Sequence, residues 1–417
     1  MMAPESAEHA GGIEYKWQAA IVVVLGLFLS VLDNTIVSVA LPNIRRAFGT
    51  SFDTVTWVAT AYFLAQAAVI PVTGYVSDRV GTKFVFVSTL SLFLIGSLLC
   101  VLAPTEVSLV GARVIQGLGG GALMPTSFAI AYRAFPRDEW GRATTIIGVP
   151  VLLAPALGPV IGGLLTTVFD WRAIFAINLP IGGIGLVLAI LLLHGKRHER
   201  TTEVESPAER FDVLGFVLSL AGFTTLVYGL SEAGIHGWGD TAADRSLIGG
   251  VVLLLALVAV EWTTRAPVLD IRLFANATFA GANLLLWVVI AAFYGTLFLI
   301  PFYFESVQGT SALTAGEIMI AQCVASAIGI AAGGELYNKL GPRPLVVAGL
   351  ISLAISMIGF THLTINTTGT SLQARIVLRG LGLGLTTIPL QNLALSVVRS
   401  CSSTSCDRSS APPGLPP

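Results

Sequence analysis

Two ionisable residues of opposite sign, Asp33 and Arg113, stand inside long apolar runs. A charge at the middle of a bilayer costs about 2.5–3.5 kcal/mol on insertion scales, so residues placed there are candidates for function. Asp33 follows Trp17 by 16 residues. That is about 24 Å along a helix rising 1.5 Å per residue, in the outer third of a core about 30 Å thick. Arg113 lies six residues into a run that enters from the opposite side, about 9 Å down. The two can share one layer, and pairing lowers the cost of each. An aspartate whose cationic neighbour and water access change can move between charged and neutral states. That is the chemistry a proton-coupled exchanger requires. By the same count Glu317, Arg375 and Arg379 fall in the outer half of their runs and are candidate substrate or proton sites. The alternatives are a polar residue at a helix end for Asp33 and an outward-snorkelling side chain for Arg113.

The elements that must carry these residues are membrane helices. Hydrophobic residues make up 54% of the chain and charged residues 11%, with mean hydropathy +0.81. Soluble domains carry about 25% charged residues. A core of about 30 Å needs about 20 apolar residues as helix. Spans are expected near 17–40, 54–76, 84–103, 107–131, 143–167, 172–194, 213–232, 246–264, 278–300, 312–336, 344–363 and 371–398. The first run follows a polar, partly acidic leader without a basic start or a small-residue cleavage site, so it reads as a retained helix. Most of the 23 Lys and Arg fall in segments that share a side with the N-terminus, whereas Arg45, Arg46, Arg172 and Arg245 fall on the other side. This bias puts the N-terminus inside. A net charge of -1 argues against a nucleic-acid partner.

The organising pattern is Gly74-Tyr-Val-Ser-Asp78-Arg79-Val-Gly81-Thr-Lys83, between the second and third spans. It recurs 260 residues on as Gly334-Glu-Leu-Tyr-Asn338-Lys339-Leu-Gly341-Pro-Arg343. Gly81 permits a tight turn, and Asp78 can sit at a helix N-terminus or pair with a base. Holding the loop inside by charge alone is the alternative. Gly117-Leu-Gly119-Gly-Gly121 likewise returns as Gly380-Leu-Gly382-Leu-Gly384. The offset exceeds a six-span unit by enough for two more spans. The expected plan is an N-terminal tail (1–16), a six-helix bundle (17–194), a cytoplasmic linker (195–212), an inserted helix pair (213–265) and a second bundle (266–398) with four spans of six.

Small residues and prolines in Ala154-Pro155-Ala-Leu-Gly158-Pro159-Val-Ile-Gly162-Gly163 permit close helix packing and a kink in the fifth span. A packing face without a gating role is equally compatible. No phosphate-binding Gly-rich loop ending in Lys-Ser/Thr appears, which argues against an ATP-driven pump. The four cysteines and the His194/His198 pair form no metal spacing. No metal or cofactor is expected, and the proton gradient is the energy source.

Together these motifs resemble the major facilitator superfamily, and within it the fourteen-span drug:proton antiporter branch (EmrB/QacA type). Leu32-Asp33-Asn-Thr-Ile-Val-Ser-Val-Ala-Leu-Pro42 is similar to that branch's first-span signature. Gly74, Asp78, Arg79, Gly81 and Lys83 match the superfamily loop motif. Arg113, Gln116, Gly117 and Gly119 match the fourth-span motif, whose arginine the resemblance assigns to proton transfer. Gly158, Pro159, Gly162 and Gly163 match the antiporter motif, and Trp171 to Pro180 the sixth-span start. Thr82 and Ala154 depart from the pattern, where a basic residue and a glycine are usual.

The resemblance implies an all-α polytopic membrane protein of the major facilitator fold, with about 12 of 14 spans present. Its function would be proton-coupled efflux of small lipophilic or cationic molecules such as drugs, across the cell membrane; it would not be an enzyme. Its partners would be the lipid bilayer, protons and a small-molecule substrate; the oligomeric state is left open. A non-transporting remnant or helix-packing partner is the alternative, and within transporters an uptake carrier. The polar tail 399–417, rich in Ser, Pro and Cys, is expected to be aberrant, as after a frameshift past Val398. In that case another reading frame would supply two further apolar spans.

Overall fold

A computed structural model describes residues 14–136, 139–194, 212–264, 271–303, 312–364 and 369–403. Among them every regular element is helical. In chain order these are α1 (Tyr15–Phe48), α2 (Phe52–Val80), α3 (Thr82–Leu102), α4 (Glu106–Ala134), α5 (Trp140–Val168), α6 (Ala173–Ala176) and α7 (Asn178–Leu192). Then follow α8 (Val213–His236), α9 (Thr241–Thr263), a short 3-10 turn (Ile271–Ala275), α10 (Ala277–Phe302), α11 (Ala312–Leu340), α12 (Pro342–Thr361) and α13 (Gly369–Ser403). Ile177 keeps helical angles between α6 and α7 (φ -61°, ψ -27°), so the two read as one sixth span.

Each expected span lies on a helix, most of them longer than the apolar stretch alone required. Among the described residues ten helices are long and apolar enough to cross a membrane. An eleventh, α5, is a pair, Ile146–Pro155 and Leu157–Val168, bent by 45°. Pro150, Pro155 and Pro159 lie within it, and proline removes backbone hydrogen bonds inside a helix. The last helix, α13, is not among the ten; it carries Arg375, Arg379, three threonines, Gln391 and Asn392. It also runs on to Ser403, past the boundary expected at Val398. Arg-Ser-Cys-Ser-Ser contains neither Gly nor Pro to stop a helix. The remainder of the tail, 404–417, and most of the linker 195–212 lie outside the described residues. Asp212 is the described end of that linker; its Oδ1 accepts the Gly215 N–H at 2.8 Å and caps α8.

The repeat is visible in the packing. In the first bundle α4 lies between α2 and α3; in the second α13 lies between α11 and α12. The duplicated glycines set both seams. A Cβ on Gly117 would stand 2.5 Å from the Tyr62 carbonyl of α2, and one on Gly121 2.7 Å from the Gln66 Cα. Gly119 abuts the Phe93 backbone of α3. In the second copy Gly380 and Gly384 face α11 through Gln322 and Ser326, while Gly382 meets Gly349 and Leu353 of α12. Alternate glycines thus open two neighbouring faces of one helix.

α1 packs on α4, α5 and α7. α8 and α9 form a hairpin whose first helix leans on α2, with the Trp57 and Tyr228 rings 5.8 Å apart. The two bundles meet chiefly where α5 lies along α11.

Candidate functional site

The Gly74–Lys83 stretch is less a loop than its charge suggested. α2 continues through Val80 and α3 begins at Thr82, so Gly81 alone leaves the helix, at φ +94° and ψ 142°. Gly341 repeats the turn at φ +77°. A side chain is disfavoured in that region, which explains a glycine in both copies. The cations then tie helix ends together. Lys83 donates from Nζ to the carbonyl oxygens of Ile190 (2.7 Å) and Leu193 (2.6 Å), at the C-terminal end of α7. Arg133 of α4 donates to Thr82 Oγ1 at 2.6 Å and stands 3.9 Å from Asp78. Arg79 lies over the Tyr75 ring at 4.6 Å. Gly74 is exposed, with open space where a Cβ would go.

Asp33 and Arg113 do share a layer. Both are sealed from solvent, at 0% and 1% exposure. Arg113 Nη1 donates to Asp33 Oδ2 at 2.5 Å and to Gln116 Oε1 at 2.6 Å, and its Nε donates to the Val58 carbonyl at 2.9 Å. Its guanidinium carbon sits 3.9 Å from the Tyr62 ring centre and 5.6 Å from that of Phe175. Asp33 Oδ1 accepts from Gln116 Nε2 at 2.9 Å and Asn178 Nδ2 at 3.0 Å. Ser97 Oγ closes the ring, accepting from Gln116 at 2.7 Å and Asn178 at 3.2 Å. Helices α1, α2, α3, α4 and α7 each contribute a group. Burying a charge pair is costly unless its remaining valences are met. Here every contact to the carboxylate is a donor, which suits its ionised form.

Tyr62, Ser97 and Asn178 were not singled out by sequence reasoning, although Asn178 lies within the sixth-span pattern. A neutral polar residue in an apolar run gives no sign of which helix face it occupies. Their one available signal was polarity at the depth of Asp33. Cys100 extends the cluster, with Sγ 3.6 Å from Gln116 Oε1.

The fifth-span glycines lie against α1, next to this site. A Cβ on Gly158 would collide with Thr35 Oγ1, and one on Gly162 would stand 3.0 Å from Ile36 Cγ1. Pro159 is buried and Gly163 half-buried. α5 therefore presses on α1 within a turn of Asp33.

The remaining candidates are elsewhere. Arg375 is half-buried in the second bundle and donates from Nη1 to the Gly359 carbonyl at 2.5 Å. Arg379, at 0% exposure, donates from Nη2 to the Phe293 carbonyl at 2.8 Å. Glu317 is on α11, but its side chain lies outside the described ones. Among the described residues no group of three or more His, Cys, Asp or Glu could hold a metal ion.

The fold and the motifs have counterparts in known proteins. The chain is 31% identical over 376 residues to the uncharacterized MFS-type transporter YhcA of Bacillus subtilis, spanning 90% of this chain and 69% of the relative. It is 34% identical over 390 residues to the multidrug resistance protein B homolog of Mycobacterium tuberculosis, again spanning 90% and 69%. Among solved structures, the proton:xylose symporter XylE bound to 6-bromo-6-deoxy-D-glucose superposes with a TM-score of 0.61 at 15% identity, over 92% of this chain and 82% of that one. At that identity the likeness concerns the fold alone. The family model described as Major Facilitator Superfamily matches residues 23–404, and with it the chain belongs to that superfamily of membrane transporters.

Proposed function

We propose that this transporter is a proton-coupled exporter, an antiporter, of small lipophilic or cationic molecules such as drugs. It would act in the cell membrane with its N-terminus in the cytoplasm. The observation that carries the reading is the sealed carboxylate of Asp33, held by Arg113, Gln116 and Asn178. A proton arriving on Oδ2 would set an O–H against the Arg113 N–H, where an acceptor stood before. Arg113 would have to leave or turn, and α1 and α4 would be uncoupled in that layer. Breaking a buried pair costs about 3–5 kcal/mol, enough to shift a balance between two arrangements of the bundle. Loss of the proton to the other side would restore the pair. The naming of the mycobacterial relative as a multidrug resistance protein B homolog supports drugs as the substrate class.

The fourteen-span form of this reading is supported by the helix correspondence. In it α10 to α13 would correspond to α1 to α4, and α8 and α9 would be the inserted pair. Two further helices would complete the second bundle as α5 and α6–α7 complete the first. Residues 17–194, 213–265 and 266–398 would then be the first bundle, the inserted pair and the second bundle.

The test is transport of ethidium into acid-loaded proteoliposomes containing the protein, alone and extended by the last two helices of a relative. Gradient-driven uptake is expected, reduced at least tenfold in Asp33→Asn. Uptake by Asp33→Asn equal to that of the unaltered protein, or none by either form, would overturn the reading.

A further inference from the structure

Among the described residues the buried arginine of the second bundle, Arg379, has no acid beside it. Arg379 stands directly before Gly380, at the step of the repeat that Gln116 holds before Gly117. At the 260-residue offset of the loop motif, Phe293 takes the place of Asp33 and Gln322 that of Tyr62. The first bundle surrounds its arginine with acceptors. The second gives Arg379 the Phe293 carbonyl and, 5.8 Å away, the Phe293 ring. Among the described residues its Nε and Nη1 have no hydrogen-bond partner, and neither does the buried Oε1 of Gln322.

Unmet donors on a sealed guanidinium are uncommon, because a buried charge needs a partner. The position suits a ligand. Arg379 is ten residues into α13 and Gln322 ten into α11, each about 15 Å along its helix and so well inside a bilayer core about 30 Å thick. Substrate sites of such transporters lie near the midplane, where the repeats meet. Phe293 belongs to an apolar cluster with Val289, Cys323 and Ile376, against which Leu153 of α5 packs from the first bundle. The guanidinium thus stands beside an apolar wall that α5 of the first bundle also touches.

We propose that Arg379 is a substrate-binding residue that takes the carboxylate of a lipophilic organic anion, with the apolar body of that anion against Phe293 and its neighbours. The planar guanidinium can meet a carboxylate through two parallel N–H donors. This adds lipophilic anions to the cargo of the exporter reading and rests on it: the first bundle carries the acid that handles protons, and the second leaves its base for the cargo's own acid.

The test is equilibrium binding of 2-naphthoate to the purified protein in nanodiscs, with neutral 2-naphthamide as control and no gradient applied. Failure here therefore leaves proton coupling at Asp33 untouched. Arg379→Met removes an uncompensated buried charge and keeps volume, so folding is expected to survive; helicity by circular dichroism checks this. Saturable naphthoate binding is expected in the unaltered protein, weakened at least tenfold in Arg379→Met, with naphthamide binding alike in both. Glu317→Gln is measured alongside. A loss smaller than tenfold overturns the proposal, as does absence of saturable binding in the unaltered protein. So does binding that appears only in Glu317→Gln, which would mark an acid of the chain itself as the occupant.

Discussion

Lys83 Nζ lies 2.6 Å from the carbonyl oxygen of Leu193, so the first residues of α3 hold the last residues of α7. A cation there meets carbonyls that no longer have a helical partner, at the negative end of the helix dipole. The charge of the repeated loop motif therefore has a packing role, in addition to any part in orienting the chain. Arg343, which holds the same step in the second copy, is exposed.

The two cations should accordingly behave differently. Hydrogen bonds to charged groups contribute about 1.5–3 kcal/mol each. Lys83→Met is expected to lower stability by about that amount, while Arg343→Met stays within about 0.5 kcal/mol, as exposed substitutions do. Thermal unfolding in detergent measures both. Equal shifts would show that Lys83 acts through overall charge and not through α7.

Gly81 and Gly341 offer a matched pair. Both turn the chain with one residue at positive φ, +94° and +77°. A side chain in such sparsely populated backbone costs about 1–3 kcal/mol. Gly81→Ala and Gly341→Ala should each destabilise by that amount, and together by nearly the sum, since they lie in separate bundles. Should either alanine be tolerated without a shift in the unfolding midpoint, the turn at that site is relaxed differently in solution.

How much of this was legible beforehand depended on the kind of residue. Asp33 and Arg113 betrayed themselves by charge within apolar text, and a rise of 1.5 Å per residue placed them at one depth. The glycine repeats announced the duplication, since both seams need small residues at the same steps. Asn178 and Ser97 could not be found that way, because their role depends on which face of α7 and α3 turns inward. The unmet donors of Arg379 were hidden for the same reason: sequence shows a cation in a span, and only packing shows that among the described residues its Nε and Nη1 have no hydrogen-bond partner. The loop motif was misread in length: α2 continues through Asp78 and Arg79 to Val80, and Gly81 alone leaves the helix.

Asp240 gives a pH-dependent prediction outside the spans. Its carboxylate accepts the backbone N–H groups of Ala242 (2.9 Å) and Ala243 (3.1 Å) at the start of α9. Those bonds, that to Ala243 foremost, hold its pKa below the usual carboxylate value. A depressed folded pKa gives stability that is present above the unfolded value of about 3.9 and is lost as pH falls through the folded one. Asp240→Ala should therefore lower the unfolding midpoint at pH 7 and do so less as the pH drops below about 4. A gap that stays constant with pH would mean that the carboxylate charge contributes nothing at this cap.

The last prediction concerns the residues around Asp33 that sequence alone did not reveal. Asn178 donates one amide group to both Asp33 Oδ1 and Ser97 Oγ, and it is the one contact α7 makes to the carboxylate. Asn178→Leu keeps the branched shape of the side chain but leaves Oδ1 with Gln116 alone. A buried acceptor that loses a donor costs about 1–3 kcal/mol, more when charged. The ionised form of Asp33 is penalised and the protonated form is not, so the substitution acts on the proton and not only on the fold. If Asp33 is the coupling acid, Asn178→Leu should move the pH at which gradient-driven transport is half-maximal upward, while Asn178→Ser, which keeps a donor, moves it less. Ala40→Val, a buried enlargement on the same helix as Asp33 but outside the network, serves as the control for loss of stability alone. Should Asn178→Leu lower transport at every pH without displacing the profile, its role is to pack α7 on α1, and the proton-handling layer ends at Gln116.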